Sequence, residues 1–209
     1  QNEKRGVSSA VILPDVAILD PLLTTSLPAS ITAATGIDAM VHAIEGYASR
    51  GANNNPISKI LATQALSLLG ANIELAVTDG TNIKARGAML LGSMLAGMAF
   101  ANSPVAAVHA LAYPIGGTFH VPHGLSNALV LPHVLRFNAP KAAQEYAELA
   151  PFIFPDIDTT QSSQEVCAEF IERMATLSAT VGLQQKLREV GITADDLPAM
   201  ASDAMQQTR

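Results

Sequence analysis

Asp38 and His42 stand four apart in Thr35-Gly36-Ile37-Asp38-Ala39-Met40-Val41-His42-Ala43-Ile44-Glu45, with apolar residues between them. On a helix, side chains at i and i+4 lie one above the other with Cβ atoms roughly 5–6 Å apart, a spacing that lets two ligands reach one ion. A D-x3-H pair alone is a common surface or capping arrangement. A second cluster gives it weight. Three of the chain's five histidines fall in Val108-His109-Ala110-Leu111-Ala112-Tyr113-Pro114-Ile115-Gly116-Gly117-Thr118-Phe119-His120-Val121-Pro122-His123-Gly124, where apolar neighbours leave a buried imidazole in need of a partner. On one unbroken helix His109 and His123 would be about 21 Å apart and could share nothing. Gly116-Gly117 and Pro122 are expected to break the helix, turn the chain back and place His123 in the first turn of a new helix, so that the two imidazoles converge.

Asp38, His42, His109 and His123 are therefore the candidate metal ligands. One carboxylate with three neutral imidazoles leaves a divalent ion a net charge of +1, and oxygen and nitrogen ligation suits Fe2+, Zn2+, Mn2+ or Ni2+ without choosing among them. The single cysteine, Cys167, excludes a cysteine-rich zinc site and an internal disulfide, and fits a reducing compartment such as the cytoplasm. Such an ion is a Lewis acid. It can polarise an alcohol or carbonyl oxygen during hydride transfer, or activate water for hydrolysis. A third reading makes the histidines mere core residues of a helical scaffold. His120 could replace His109 or His123, but it precedes the expected break and is taken as a pocket-lining or supporting residue. His133 is taken as a satisfied structural histidine.

The elements that must position these groups are helical. Asn55-Pro56 is an N-cap followed by proline in the first turn, and Leu61, Ala65, Leu68, Leu69, Ile73 and Ala76 recur at spacings of three and four up to Asp79-Gly80; a helix over about 56–78 follows. A second is expected over about 81–102, central in the bundle because Gly87, Gly92, Ser93, Ala96 and Gly97 allow close approach. Val166, Phe170, Met174, Leu177 and Val181 form one apolar stripe opposite Glu165, Glu169, Glu172 and Arg173, an outer amphipathic helix. The uncharged run from Gly87 to Val108 reaches membrane-spanning length, but its Gly, Ala and Ser content and its internal Asn102-Ser103-Pro104 favour a core helix ending near Asn102. Only residues 1–20 look extended, in Val11-Ile12-Leu13 and Val16-Ala17-Ile18-Leu19, and nothing later supplies a sheet for them. The expected fold class is an all-α helical bundle with a short extended N-terminal arm. The arm, 1–20, is assigned to a domain outside this chain; the bundle, 21–209, is expected to be cut short at its C-terminus. No secretory leader follows Gln1-Asn2-Glu3-Lys4-Arg5. A net charge of -6 with scattered Lys and Arg argues against nucleic acid or a membrane surface as partner.

Asp20-Pro21-Leu22-Leu23-Thr24-Thr25-Ser26-Leu27-Pro28, the segment Thr32–Glu45, and Pro122-His123-Gly124-Leu125-Ser126-Asn127 with Leu131-Pro132-His133-Val134 closely resemble the helical domain of the iron-containing (group III) alcohol dehydrogenases. The resemblance covers nearly the whole chain. It implies that the family's four ligands fall on Asp38, His42, His109 and His123, that Phe100 lines the substrate pocket, and that the substrate is a small alcohol or aldehyde. Where many members place a histidine beside the nicotinamide, this chain has Tyr113, whose phenol is a poor proton shuttle near neutrality. The resemblance further implies NAD or NADP held on an N-terminal α/β domain through a glycine-rich turn absent from these 209 residues, and a homodimer at full length.

Overall fold

The computed structural model describes residues 9–206. Positions 1–8 of the expected arm and 207–209 of the expected truncated end lie outside the described residues. Among the described residues seven α-helices follow one another: α1 Ala29–Ala48, α2 Pro56–Thr78, α3 Ile83–Asn102, α4 Ala107–Phe119, α5 His123–Ile153, α6 Ser163–Thr180 and α7 Leu197–Met205. Among the described residues there is no strand. The arm corrects the sequence expectation. Ala10–Ile12 closes a single 3-10 turn, and residues 13–20 carry no helix or strand. A strand must pair its backbone with a neighbour, and none is available, so Val11, Leu13, Val16 and Ile18 remain 74–92% exposed.

Local chemistry sets the helix starts. Asn55 accepts from the N–H groups of Ile57 and Ser58 while Ser58 Oγ accepts from Asn55 N–H, a capping box on α2. Ser162 and Glu165 do the same for α6. The α6 stripe expected from periodicity is the buried one: Val166, Phe170, Met174, Leu177 and Val181 all face inward. The Gly87–Val108 run is not one rod, since α3 ends at Asn102 and α4 leaves it at 109°. α2 is long and apolar enough to cross a bilayer; its Ala62, Ala65, Leu66, Leu69 and Ile73 are buried in the shared core, and Ala76 is buried as well.

The central helix is α1, not α3 as small residues led one to expect. Thirteen of α1's twenty residues are buried against five of α3's twenty. Small residues permit close approach without compelling it. A Cβ on Gly92 would meet Leu69 at 2.8 Å, so α2 and α3 do close there, but one on Gly97 would meet nothing within 4 Å.

Arg86 locks the approach to α1. It is 3% exposed, and it donates from Nε to Gly80 O at 2.9 Å, from Nη1 to Thr32 Oγ1 at 2.6 Å and from Nη2 to Leu27 O at 3.3 Å. The α2–α3 turn, the lead-in to α1 and α1 itself are thus tied to one guanidinium. Arg86→Met leaves three acceptors without their donor and should cost about 2 kcal/mol, a drop of about 4–8 °C in Tm for a chain of this size by thermal unfolding; an unchanged Tm would show the tie to be idle.

Candidate metal centre

Helix periodicity puts Asp38 and His42 on one face of α1, and the fold brings two more imidazoles to it. His109 lies in the first turn of α4 and His123 is the first residue of α5. The reversal between them corrects the expected device. α4 runs through Pro114 and Gly116-Gly117 unbroken to Phe119, and the chain turns at His120, left-handed at φ 56°, followed by Val121 and Pro122 as the cap of α5. The glycines stay helical because Ala112 and Ile115 beside them are fully buried and anchor the helix. His120 is exposed, terminates α4 and stands outside the ligand cluster. His133, expected as a satisfied structural histidine, is exposed on α5.

Asp38, His42, His109 and His123 each present one ligand atom, and the four atoms lie within 4.8 Å of one another. His109 Nε2 is 3.0 Å from His42 Nε2 and 3.8 Å from Asp38 Oδ1, and His123 Nε2 is 3.9 Å from Asp38 Oδ1. A tetrahedral shell of oxygen and nitrogen at about 2.0–2.2 Å has edges of about 3.5 Å; the spacings of 3.0, 3.8 and 3.9 Å bracket that edge, and the oxygen and nitrogen donors suit one divalent ion. His109 is buried, whereas the His123 side chain is 29% exposed, so the cluster is closed behind and open at one side, as an ion that must meet a substrate requires. Burial lowers the pKa of His42 to about 4, against the opposing pull of Asp38. Its imidazole is therefore neutral near pH 7, the form that binds metal.

The aromatic residues named from the sequence also reach this place. Phe100 stacks on His42 with ring centroids 4.6 Å apart and 20° between planes, and Tyr113 lies over His123 at 6.1 Å and 23°. Two further residues were not singled out from sequence. Asn127, fully buried, donates from Nδ2 to Asp38 Oδ1, and the same nitrogen lies 3.3 Å from Nε2 of both His109 and His123. Glu45, 7% exposed, places Oε2 2.7 Å from His109 Nδ1. One signal could have found both: each sits a turn beyond a ligand, Glu45 after His42 and Asn127 after His123, as a polar residue on an otherwise apolar helix face.

An all-α bundle that gathers one carboxylate and three imidazoles around a single open point defines a helical metal-binding domain. Residues 32–209 match the model of the Fe-containing alcohol dehydrogenase family, C-terminal, and the chain belongs to that family. It is 43% identical over 209 residues to a 1,3-propanediol dehydrogenase of Citrobacter freundii, covering 98% of this chain and 53% of that protein. Its fold is similar to a crystal structure of 1,3-propanediol oxidoreductase, with TM-score 0.86 and 40% identity over 90% of this chain and 48% of that one. It is also similar to sulfoacetaldehyde reductase from Bifidobacterium kashiwanohense in complex with NAD+, with TM-score 0.81 and 29% identity over 95% and 50% of the two chains. The chain thus spans about half the length of the relatives it matches.

Proposed function

We propose that this chain is the metal-binding half of a metal- and NAD(P)-dependent alcohol dehydrogenase that interconverts a small alcohol and its aldehyde. The observation that carries the reading is the convergence of four ligand atoms within 4.8 Å, on a chain whose relatives are named for dehydrogenase and reductase activities. Asp38, His42, His109 and His123 hold the ion, Fe2+ by family likeness, with Zn2+ equally suited to the donor set. When bound, it supplies Lewis acidity at the alcohol or carbonyl oxygen.

The remaining work falls to side chains. Phe100, stacked on His42, walls the substrate side of the centre and keeps water from it. Tyr113, over His123, offers a ring face to the nicotinamide and shapes the pocket. With a phenol in that position, the alcohol proton leaves through water or through the exposed His120. NAD or NADP is held by a domain outside this chain, to which the arm of residues 1–20, with its exposed Val11, Leu13, Val16 and Ile18, is assigned. The NAD+ bound to the sulfoacetaldehyde reductase supports the cofactor. The full-length protein is assigned as a cytoplasmic homodimer without nucleic-acid or membrane partners, on the lone cysteine, the charge pattern and the family likeness.

The test uses full-length protein purified without oxygen. Stoichiometric metal and a rise in reduced-nicotinamide absorbance with NAD or NADP and a small primary alcohol are expected. Metal-loaded protein that forms no reduced cofactor would point to hydrolysis at the same site. Substoichiometric metal that ligand substitutions leave unchanged would leave only a scaffold.

A further inference from the structure

Glu45 is a buried carboxylate that the metal reading does not use. It lies three residues beyond His42 and seven beyond Asp38, so the three polar side chains form one stripe along α1, whose other inward residues are mostly apolar. Both carboxylate oxygens are engaged. Oε1 accepts from the backbone N–H of Val108 at 2.7 Å, and Oε2 lies 2.7 Å from Nδ1 of His109. Taking a carboxylate out of water is costly unless donors replace the water. Here the two donors are a peptide N–H in the first turn of α4, whose N-cap residue Ala106 supplies no side-chain cap, and an imidazole.

We infer that Glu45 is a positioning residue for the metal centre, holding His109 as the Nδ1–H tautomer with its Nε2 lone pair turned toward Asp38, His42 and His123. An ionised carboxylate can only accept, so the hydrogen between Oε2 and the ring belongs to Nδ1. A ring that donates from Nδ1 can ligate an ion only through Nε2. Asn127 Nδ2, which can only donate, lies 3.3 Å from that same Nε2, consistent with the assignment. The second oxygen of Glu45 pins the start of the helix that carries His109, so one side chain on α1 sets both the position and the protonation of a ligand on α4. Glutamine of the same shape cannot replace it. Its single carbonyl oxygen can serve Val108 N–H or His109 Nδ1–H; with the oxygen on Val108, its amide donates to His109 Nδ1 and moves the ring proton to Nε2, the atom that faces the ion site, and with the oxygen on His109 the amide confronts the Val108 N–H.

The inference rests on the metal-site reading, and the experiment separates the two. Zn2+ affinity is measured in the full-length protein by competition with a chromophoric chelator, and the visible spectrum is recorded after Co2+ substitution, for wild type and Glu45→Gln. A positioning role predicts a Zn2+ dissociation constant raised about 10- to 100-fold and a Co2+ spectrum with altered ligand-field bands. If Glu45 served only to cap α4, Glu45→Gln would lower the melting temperature of the metal-free protein yet bind Zn2+ within about twofold of wild type with an unchanged Co2+ spectrum, and the inference would be overturned. Wild-type protein that bound no Zn2+ would overturn the metal-site reading itself, and this inference with it. Histidine-selective 15N NMR of the metal-free wild type gives a reading independent of how the variant folds: His109 should carry its proton on Nδ1, and a proton on Nε2 alone would refute the tautomer.

Discussion

Asp38→Ala should release the ion and lower kcat/KM of the full-length protein by about 10³-fold, the equivalent of about 4 kcal/mol of lost transition-state stabilisation. Asp38 is the one anion in the ligand set; three neutral imidazoles alone leave a divalent ion its full charge in a largely buried site. The substitution also removes the acceptor of Asn127 Nδ2, so the amide that stands among the remaining ligands loses its anchor. Asp38→Asn, which keeps the shape but not the charge, isolates the electrostatic part and should fall between the two. Metal content and steady-state kinetics on the same preparations provide the check. Retention of stoichiometric metal with activity within about tenfold of wild type would mean that Asp38 is not a ligand.

Gly124→Ala should destabilise the fold by about 3 kcal/mol, the upper end of what overpacking costs, and lower Tm by about 6–12 °C. A Cβ at this position would sit 2.6 Å from the carbonyl carbon of Ala34 and 3.2 Å from Thr35 N, with the Ala34 carbonyl oxygen in contact as well. The obstacle is the backbone of α1, which has no rotamer to yield. The first turn of α5 must therefore move away from α1, and His123 is the residue next to it. Metal affinity should fall together with stability, a coupling that a substitution remote from the ligands would not show. Gly97→Ala is the matched control, since a Cβ there meets nothing within 4 Å; as an alanine inside a helix it should be neutral or stabilising by up to about 1 kcal/mol. Equal melting temperatures for the two variants would show that α1 and α5 do not approach as closely as the structure places them.

Much of this centre is legible without coordinates, because few side chains can hold a metal and their spacing along α1 restricts how they meet. Asp38 and His42 follow from a period of 3.6, and the need for a reversal between His109 and His123 follows from helix rise alone. The helix over 56–78 is legible for a similar reason: Asn55-Pro56 and Asp79-Gly80 are start and stop chemistry that acts locally. Expectations failed where an outcome depended on competing neighbours. Gly116-Gly117 lowers the cost of a break, at about 1 kcal/mol per glycine relative to alanine, but buried contacts at Ala112 and Ile115 outweigh that preference and carry α4 to His120. Small residues made α3 look central; the burial of α1 shows otherwise. The apolar runs of residues 11–19 have strand composition, but a strand is a pair, and composition cannot supply the second member.

Residue types and spacings by themselves determined the helical class, the four candidate ligands and the need to fold His109 back toward His123. Only tertiary packing decided that His120 makes the turn, that α1 is the axis, and that Glu45 meets His109 across 64 residues of chain. Helical periodicity tells which residues share a face. Which faces meet is settled by close packing among the described helices at once, where one backbone contact such as Gly124 on Ala34 can outweigh a local preference.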